Sequence, residues 1–190
     1  MPVRFLTEDQ KILLAHSPEA PPPSNPIHAT AADEQNWALA LSGAKATASS
    51  ALDAKSGPAG LIDGIRDDSN WAVGHGWASQ PVHPQPQWVE IAFPEPRSVS
   101  RYVIISYADK HDPSSVNTWG VGNYDIEIWD PASNSWKLAV SEKTNRVMIN
   151  RVHILEKPIE TSKFRVVIKE VAPFDDIARW LQVEAWGRTF

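Results

Sequence analysis

The chain has 190 residues, of which 42% are apolar and 22% charged, and its net charge is −5. This composition is typical of a soluble globular protein, and no apolar run approaches the ~20 residues that a membrane span requires. Lysine and arginine are scattered along the chain, so they form no basic stripe for a nucleic-acid backbone. The lack of cysteine excludes disulfides, thiolate metal sites and cysteine nucleophiles. We expect neither membrane insertion nor a nucleic-acid partner.

The N-terminal residues 1–35 predict an arm in front of the main domain. Residues 7–16 predict a short helix, because Thr7 and Gln10 match a capping box. A helix of fewer than about three turns is not stable alone in water, so it must dock on its own domain or on another molecule. The proline-rich residues 18–26 predict an extended spacer. The arm is therefore either a docking device for a protein partner or the remnant of an interdomain linker.

The first residues also bear on localisation. Acidic side chains stand where a secretory signal would have its apolar run, and no small-residue cleavage site follows. We therefore expect no export by the general secretory route. The location would be a virion or similar particle, a larger exported assembly, or otherwise the cytoplasm.

From residue 36 to 190 the pattern predicts a single domain made of β-strands. Apolar residues recur with a period of two, and clusters of Pro, Gly, Asn and Asp separate the runs. Many short strands without crossover helices favour an antiparallel sandwich or barrel. The small-residue tract 38–52 predicts the first strand, and the clearest later strands are 88–93, 99–107, 124–129, 151–155, 164–171 and 181–186.

Nine tryptophans are more than a core of this size readily absorbs, so some are expected at a surface that binds a ligand. The alternative is that all nine serve core and edge packing. Candidate binding features are concentrated in residues 60–93, which combine an aspartate-rich loop, a Gly, His and Trp cluster and an alternating strand. Such a combination suggests binding more than catalysis.

Several segments in order resemble the galactose-binding-like, discoidin or coagulation-factor type C domains, a family that includes many bacterial carbohydrate-binding modules. The resemblance covers about 36–187. It rests on Asn36, Trp37 and Ala38 before GAKATASS (43–50), LIDG (61–64) with Trp71 downstream, GWAS (76–79), QWVEIAF (87–93), SRYVIISY (100–107), YDIEIWD (124–130) with Trp136, FRVVI (164–168) and VEAWG (183–187).

This resemblance implies an all-β fold, an antiparallel β-sandwich jelly roll, with a structural calcium and a ligand site on loops at one end. Calcium prefers oxygen ligands, and LIDGIRDDSN (61–70) is a loop that can supply several of them. By similarity the ligands would be Asp63, the carbonyls of Gly60 and Ile65, a side chain from Asp68 or Ser69, and Gln182 from the last strand.

The calcium loop departs from the family pattern in two ways. Gln182 stands where the family commonly has a glutamate, and the loop is one residue longer before Trp71. A neutral amide should weaken the site. In the alternative reading, Asp63 and Asp68 only cap the turn through neighbouring backbone amides.

The resemblance also implies a glycan site built from a loop histidine, an arginine, an asparagine and an aromatic ring. Trp119, in a polar insertion, is the better candidate for an exposed ring, whereas Trp77 could instead occupy a buried family position. The ligand-binding candidates are His75, Trp77, His111, Asn117, Trp119 and Arg179.

Catalysis is not expected. The chain has no GxSxG, HExxH or phosphate-binding glycine loop, and its histidines share no metal-ligand spacing. The first hypothesis is a non-catalytic carbohydrate-binding module. The alternative is a structural or assembly protein that docks through residues 1–35 and uses the sandwich as an adaptor or a host-glycan binder.

Overall fold

The computed structural model describes residues 33–66, 73–81, 86–107, 121–143, 150–171 and 176–189. The predicted helix 7–16 and the proline-rich spacer 18–26 lie outside these residues. Two short 3₁₀ helices, Ala40–Ser42 and Pro58–Leu61, accompany the strands. The strands are β1 (Glu34–Asn36), β2 (Lys45–Ala48), β3 (Trp77–Ala78), β4 (Trp88–Ser106), β5 (Val121–Asp130), β6 (Ser135–Glu142), β7 (Asn150–Val171) and β8 (Arg179–Arg188).

All strand pairs are antiparallel, which confirms the predicted all-β sandwich. The hydrogen-bonded order is β1-β8-β4-β7-β5-β6, with β2 on β4 and β3 on β8. In the part of the chain that the structure describes, no helix is long and apolar enough to cross a membrane.

The longest strands, β4 and β7, belong to both layers of the sandwich. In the first layer, residues 89–92 of β4 pair with β2, and residues 88–92 pair with residues 163–167 of β7. After a register shift, residues 101–106 of β4 pair with β8 in the second layer. β4 and β7 therefore each bend from one layer into the other, and their pairing with each other continues on both sides of the bend.

Two turns predicted from the sequence are wrong, because the chain continues as a strand through both bends. The segments 94–98 and 156–162 were expected to separate strands, yet both lie within one strand at a register shift. Proline lacks the amide hydrogen that a regular ladder needs, so an irregular corner accommodates Pro94, Pro96 and Pro158.

The core lies between the two layers and follows the predicted alternation. Val89, Ile91 and Phe93 are buried on the inner face of β4. Phe164 of β7 packs against Phe93 with ring centroids 5.8 Å apart, and against Tyr102 of the opposite layer at 4.9 Å. These contacts join the layers through aromatic side chains.

The predicted first strand is shorter than the tract 38–52. Only Lys45–Ala48 forms β2, because Ala40–Ser42 winds into a 3₁₀ helix that ends at Gly43 with φ 84°. Before it, β1 begins at Glu34, two residues ahead of the expected boundary. Buried Asn36 fastens β1 to β8, since its Oδ1 accepts the N–H groups of Ala38 and Ala185 at 3.0 and 3.1 Å.

Gly187 marks a close approach between β8 and the corner of β4. A Cβ there would lie 1.8 Å from the Ser98 carbonyl oxygen, a backbone atom that cannot rotate away. We expect Gly187→Ala to lower the free energy of unfolding by about 1–3 kcal/mol in urea denaturation. Gly57→Ala is the matched control, because no atom of the described residues outside its chain neighbours lies within 4 Å of its Cβ position. Equal stability of the two variants would refute the close approach.

Candidate functional site

The strand ends gather at one end of the sandwich, which we call the loop end and define by Tyr107, Val121, Val171 and Arg179. Ser106 pairs with Trp180, so the end of β4 lies beside the start of β8. Val121 pairs with Val171, where β5 starts and β7 ends. The ring of Tyr124 meets Trp180 edge to face at 5.9 Å and brings these two pairs together across the core.

Arg179 is the predicted ligand residue that the structure places at the loop end. It opens β8, pairs with Ala78 and is half-buried. Burial lowers the pKa of its guanidinium, and the electrostatic interaction with nearby Tyr107 acts in the opposite direction. An arginine stays protonated in proteins, so it offers planar N–H donors at this position.

Tyr107 was not among the predicted ligand residues. The sequence indicated only that it ends a strand directly before a polar insertion, and the structure adds its place near Arg179. His111, Asn117 and Trp119 belong to that insertion and lie outside the described residues. The insertion is flanked by Tyr107, which directly follows β4, and by Val121, the first residue of β5, and both belong to the loop end.

The position of Trp77 corrects its assignment to the ligand site. Its side chain is fully buried in the core. The ring packs against Trp180 at 5.7 Å, and Nε1 donates to the Ser50 carbonyl at 2.9 Å. No face of the ring is open to a sugar, so the alternative reading of Trp77 as a buried residue is the one that fits.

His75, which was predicted to bind the glycan, forms a hydrogen bond with Asp63, which was predicted to bind calcium. His75 Nδ1 lies 2.7 Å from Asp63 Oδ2, and Asp63 Oδ1 accepts the Ile65 N–H at 2.8 Å. Both side chains are about one quarter exposed, at 28% and 23%. Because an ionised carboxylate only accepts, Nδ1 carries the proton in this contact. The pair holds the imidazole in one orientation.

The calcium ligands expected from the family can be tested against the chemistry of the donors. Gln182 is fully buried, and among the described residues neither its Oε1 nor its Nε2 has a hydrogen-bond partner. A calcium ion would satisfy the oxygen and leave the amide N–H groups orphaned, whereas a buried water can serve both. Among the described residues no three His, Asp or Glu side chains are grouped to hold a metal.

Two of the remaining expected donors already accept hydrogen bonds from the protein. Asp63 accepts from Ile65 and His75, and the Gly60 carbonyl accepts the Gly76 N–H at 3.2 Å. Asp68 and Ser69 lie outside the described residues, and for the Ile65 carbonyl no partner is described. Within the described residues the expected set is therefore four oxygens with one negative charge, fewer than the roughly six to eight oxygens that calcium takes.

Two half-buried tryptophans on the outer face of the first layer are engaged with cations. Trp129 and Trp136 meet edge to face at 5.3 Å. Lys163 Nζ lies 4.8 and 4.9 Å from the two ring centroids, and the Arg165 guanidinium lies 4.5 Å from that of Trp136. These contacts are typical of cation–π packing. Because cations already pack against these two rings, the rings serve the packing of the sheet and are poorly placed to stack on a sugar.

The described strands thus form an antiparallel β-sandwich with several strand ends close together at the loop end. The model of the F5/8 type C domain matches residues 45–183. The chain therefore belongs to the F5/8 type C domain family, and the resemblance inferred from its sequence is confirmed.

Solved structures with the same fold include carbohydrate-binding modules. The family 32 module of C. perfringens NanJ in complex with galactose has a TM-score of 0.63 and 15% identity, and the match covers 81% of this chain and 99% of that one. Chitosan-binding module 1 of the chitosanase/glucanase from Paenibacillus sp. IK-5 has a TM-score of 0.61 and 19% identity, covering 80% and 99%.

The same fold also occurs inside larger enzymes. A Ruminococcus gnavus GH29 fucosidase in complex with fucose has a TM-score of 0.61 and 15% identity, and the match covers 82% of this chain but only 27% of that one. At such identities these likenesses show the fold alone. No curated protein sequence matches the chain.

Proposed function

We propose that this protein is a non-catalytic carbohydrate-binding module that holds a glycan at the loop end. The observation that carries the proposal is Arg179, a half-buried guanidinium near Tyr107 at the point where the strand ends gather. The fold it shares with whole carbohydrate-binding modules, matched over 98–99% of their length, supports the same function.

The chemistry of the loop end suits a sugar. A glycan presents hydroxyls, which planar guanidinium donors can bind, and an apolar C–H face, which packs on an aromatic ring. Arg179 supplies the donors. We propose that Tyr107 or Trp119 supplies the aromatic ring. His111 and Asn117, which follow Tyr107 in the sequence, would make the further polar contacts.

A catalytic role finds little support in the described side chains. His75 and Asp63 form the pair most like a general base, yet the hydrogen bond of His75 within the described residues goes to Asp63 alone. Nucleophilic catalysis needs a hydroxyl or thiol within hydrogen-bond reach of the base. The pair therefore serves better to orient the imidazole than to drive a reaction.

Arg179→Ala should weaken glycan binding by about tenfold or more, since a charge-assisted hydrogen bond contributes about 1.5–3 kcal/mol. Titration calorimetry with galactose, N-acetylgalactosaminyl-β-1,3-galactose and chitosan oligomers measures the effect. Arg188→Ala is the matched control, because Arg188 ends β8 about 30 Å away along the strand and is 71% exposed. Failure of the unaltered protein to bind any glycan on a broad array, or equal losses in both variants, would count against the proposal.

The assembly role depends on residues 1–35, of which 1–32 lie outside the described residues. A protein partner for this arm therefore stays a prediction. Removing residues 1–30 and comparing the oligomeric state by light scattering would test it, because an unchanged state would argue against a docking arm.

A further inference from the structure

We infer that the loop 60–66 is fastened to strand β8 by an arginine–glutamate pair in place of a calcium ion. The fastening residues are Arg66 on the loop and Glu184 in β8, and the family pattern assigns a metal role to neither. The inference concerns the stability of the loop and is independent of the proposed glycan binding.

The Arg66–Glu184 contact is bidentate. Arg66 Nε lies 2.7 Å from Glu184 Oε1, and Nη2 lies 2.9 Å from Oε2. Two parallel N–H···O bonds between a guanidinium and a carboxylate form the strongest common geometry for such a pair. The contact joins residues 118 positions apart, so it closes the loop directly onto the last strand.

Glu184 is buried to 2% exposure, and a third donor completes its environment. Trp186 Nε1 donates to Oε2 at 2.7 Å. A buried carboxylate is costly unless it is paired and hydrogen-bonded, and these donors meet that demand. The negative charge at this place is already balanced by a cation that belongs to the chain.

A calcium ion beside Gln182 would lie close to that cation. Gln182 and Glu184 pair with Ile105 and Val103 in regular register, so their side chains leave the same face of β8, about 7 Å apart. A divalent ion at Gln182 would meet a neutral amide and an ion pair whose two charges already cancel, so this face of β8 offers it no excess negative charge.

The other side of the loop is closed by its own chain. A Cβ on Gly60 would fall 2.4 Å from the Gly76 carbonyl oxygen and 2.6 Å from its nitrogen, which shows how closely the two segments are packed. Asp63 holds His75 next to this contact. The loop is thus tied at Gly60, Asp63 and Arg66 by contacts within the protein.

The first test is a thermal unfolding scan of the unaltered full chain in millimolar calcium chloride and in EDTA. We expect the two midpoints to agree within about 1 °C, because a ligand stabilises only the state that binds it. Calorimetric titration with calcium alone should show no binding heat. A midpoint several degrees higher in calcium, or measurable calcium binding, would overturn the inference without any variant having to fold.

The second test is a double-mutant cycle with Arg66→Met and Glu184→Gln. Each change should lower the unfolding midpoint by about 5 °C, and the double variant should be little worse than either one, because the two residues act as one contact. Arg188→Met is the matched control, since Arg188 is exposed and forms a surface pair with Asp33. Additive losses in the double variant, or a loss in the control as large as that of Arg66→Met, would contradict the fastening role.

Discussion

Lowering the pH from 7 to 4 should reduce the free energy of unfolding by about 3 kcal/mol through His153 alone. His153 lies in β7, in the second layer, and its Nε2 is 2.8 Å from the hydroxyl of Tyr124 in the first layer. Burial lowers the pKa of this imidazole to about 4; Glu142 raises it and Arg151 lowers it further. The folded protein therefore holds His153 neutral.

The sign of the effect follows from the two pKa values. The unfolded histidine titrates near 6.5 and the folded one near 4, so between these pH values the unfolded chain binds a proton that the folded chain does not. Stability from this group is complete above pH 6.5 and falls as the pH drops towards 4. Its direction is opposite to that of a histidine that gains an acidic partner.

The measurement is a series of urea unfolding curves between pH 4 and pH 7 on the unaltered protein and on His153→Gln. Glutamine can accept the Tyr124 hydrogen bond but does not titrate. Carboxylates titrate in both proteins, so the difference between the two curves isolates the histidine. The same pH dependence in both proteins would rule out His153 as its source.

Trp180→Ala should destabilise the sandwich by about 4 kcal/mol, because it empties the volume of a large aromatic side chain. Trp180 is fully buried and lies between Trp77 and Tyr124, with ring centroids 5.7 and 5.9 Å away. The loss of these contacts leaves a cavity under the loop end. Urea denaturation measures the change directly.

Trp180→Phe provides a graded control. The indole Nε1 of Trp180 has no hydrogen-bond partner within the described part of the chain, so phenylalanine leaves no polar group unpaired and should cost clearly less stability than alanine. Leu138→Ala is a surface control, because Leu138 is 61% exposed on β6, and it should change stability by no more than about 0.5 kcal/mol. A Phe variant as unstable as the Ala variant would show that volume is not the cause.

Much of the fold could be predicted because the inner face of the sheet is strictly alternating. Val89, Ile91 and Phe93 recur at every second position, and so do Tyr124 and Ile126. Burial on one face of a strand leaves this period in the sequence.

The strands that could not be predicted lack that period. β6 lies at the edge of its layer and exposes half of its residues, among them the neighbours Lys137 and Leu138. β1 and β3 have three and two residues, and only their pairing with β8 makes them strands. Pairing between residues more than 100 positions apart leaves no local signal.

In the candidate site, too, some features could be predicted from the sequence and others could not. Arg179 could be predicted because a polar residue just before a strand marks a loop end. The contacts of Asp63 with His75 and of Arg66 with Glu184 could not, because they depend on how a loop folds over a distant strand. For Trp77 the sequence left two readings open, an exposed ligand residue and a buried family position, and its packing against Trp180 decides for the buried one.

The two corner-turning strands also have a consequence for how the protein folds. Because β4 and β7 each supply residues to both layers, neither layer can be completed while the other is unformed. The native pairings join distant parts of the chain, and such topologies fold slowly, on a scale of milliseconds to seconds. We therefore expect a single cooperative unfolding transition with coincident fluorescence and circular-dichroism curves, and a chain cut between β4 and β5 should not yield two independently folded halves.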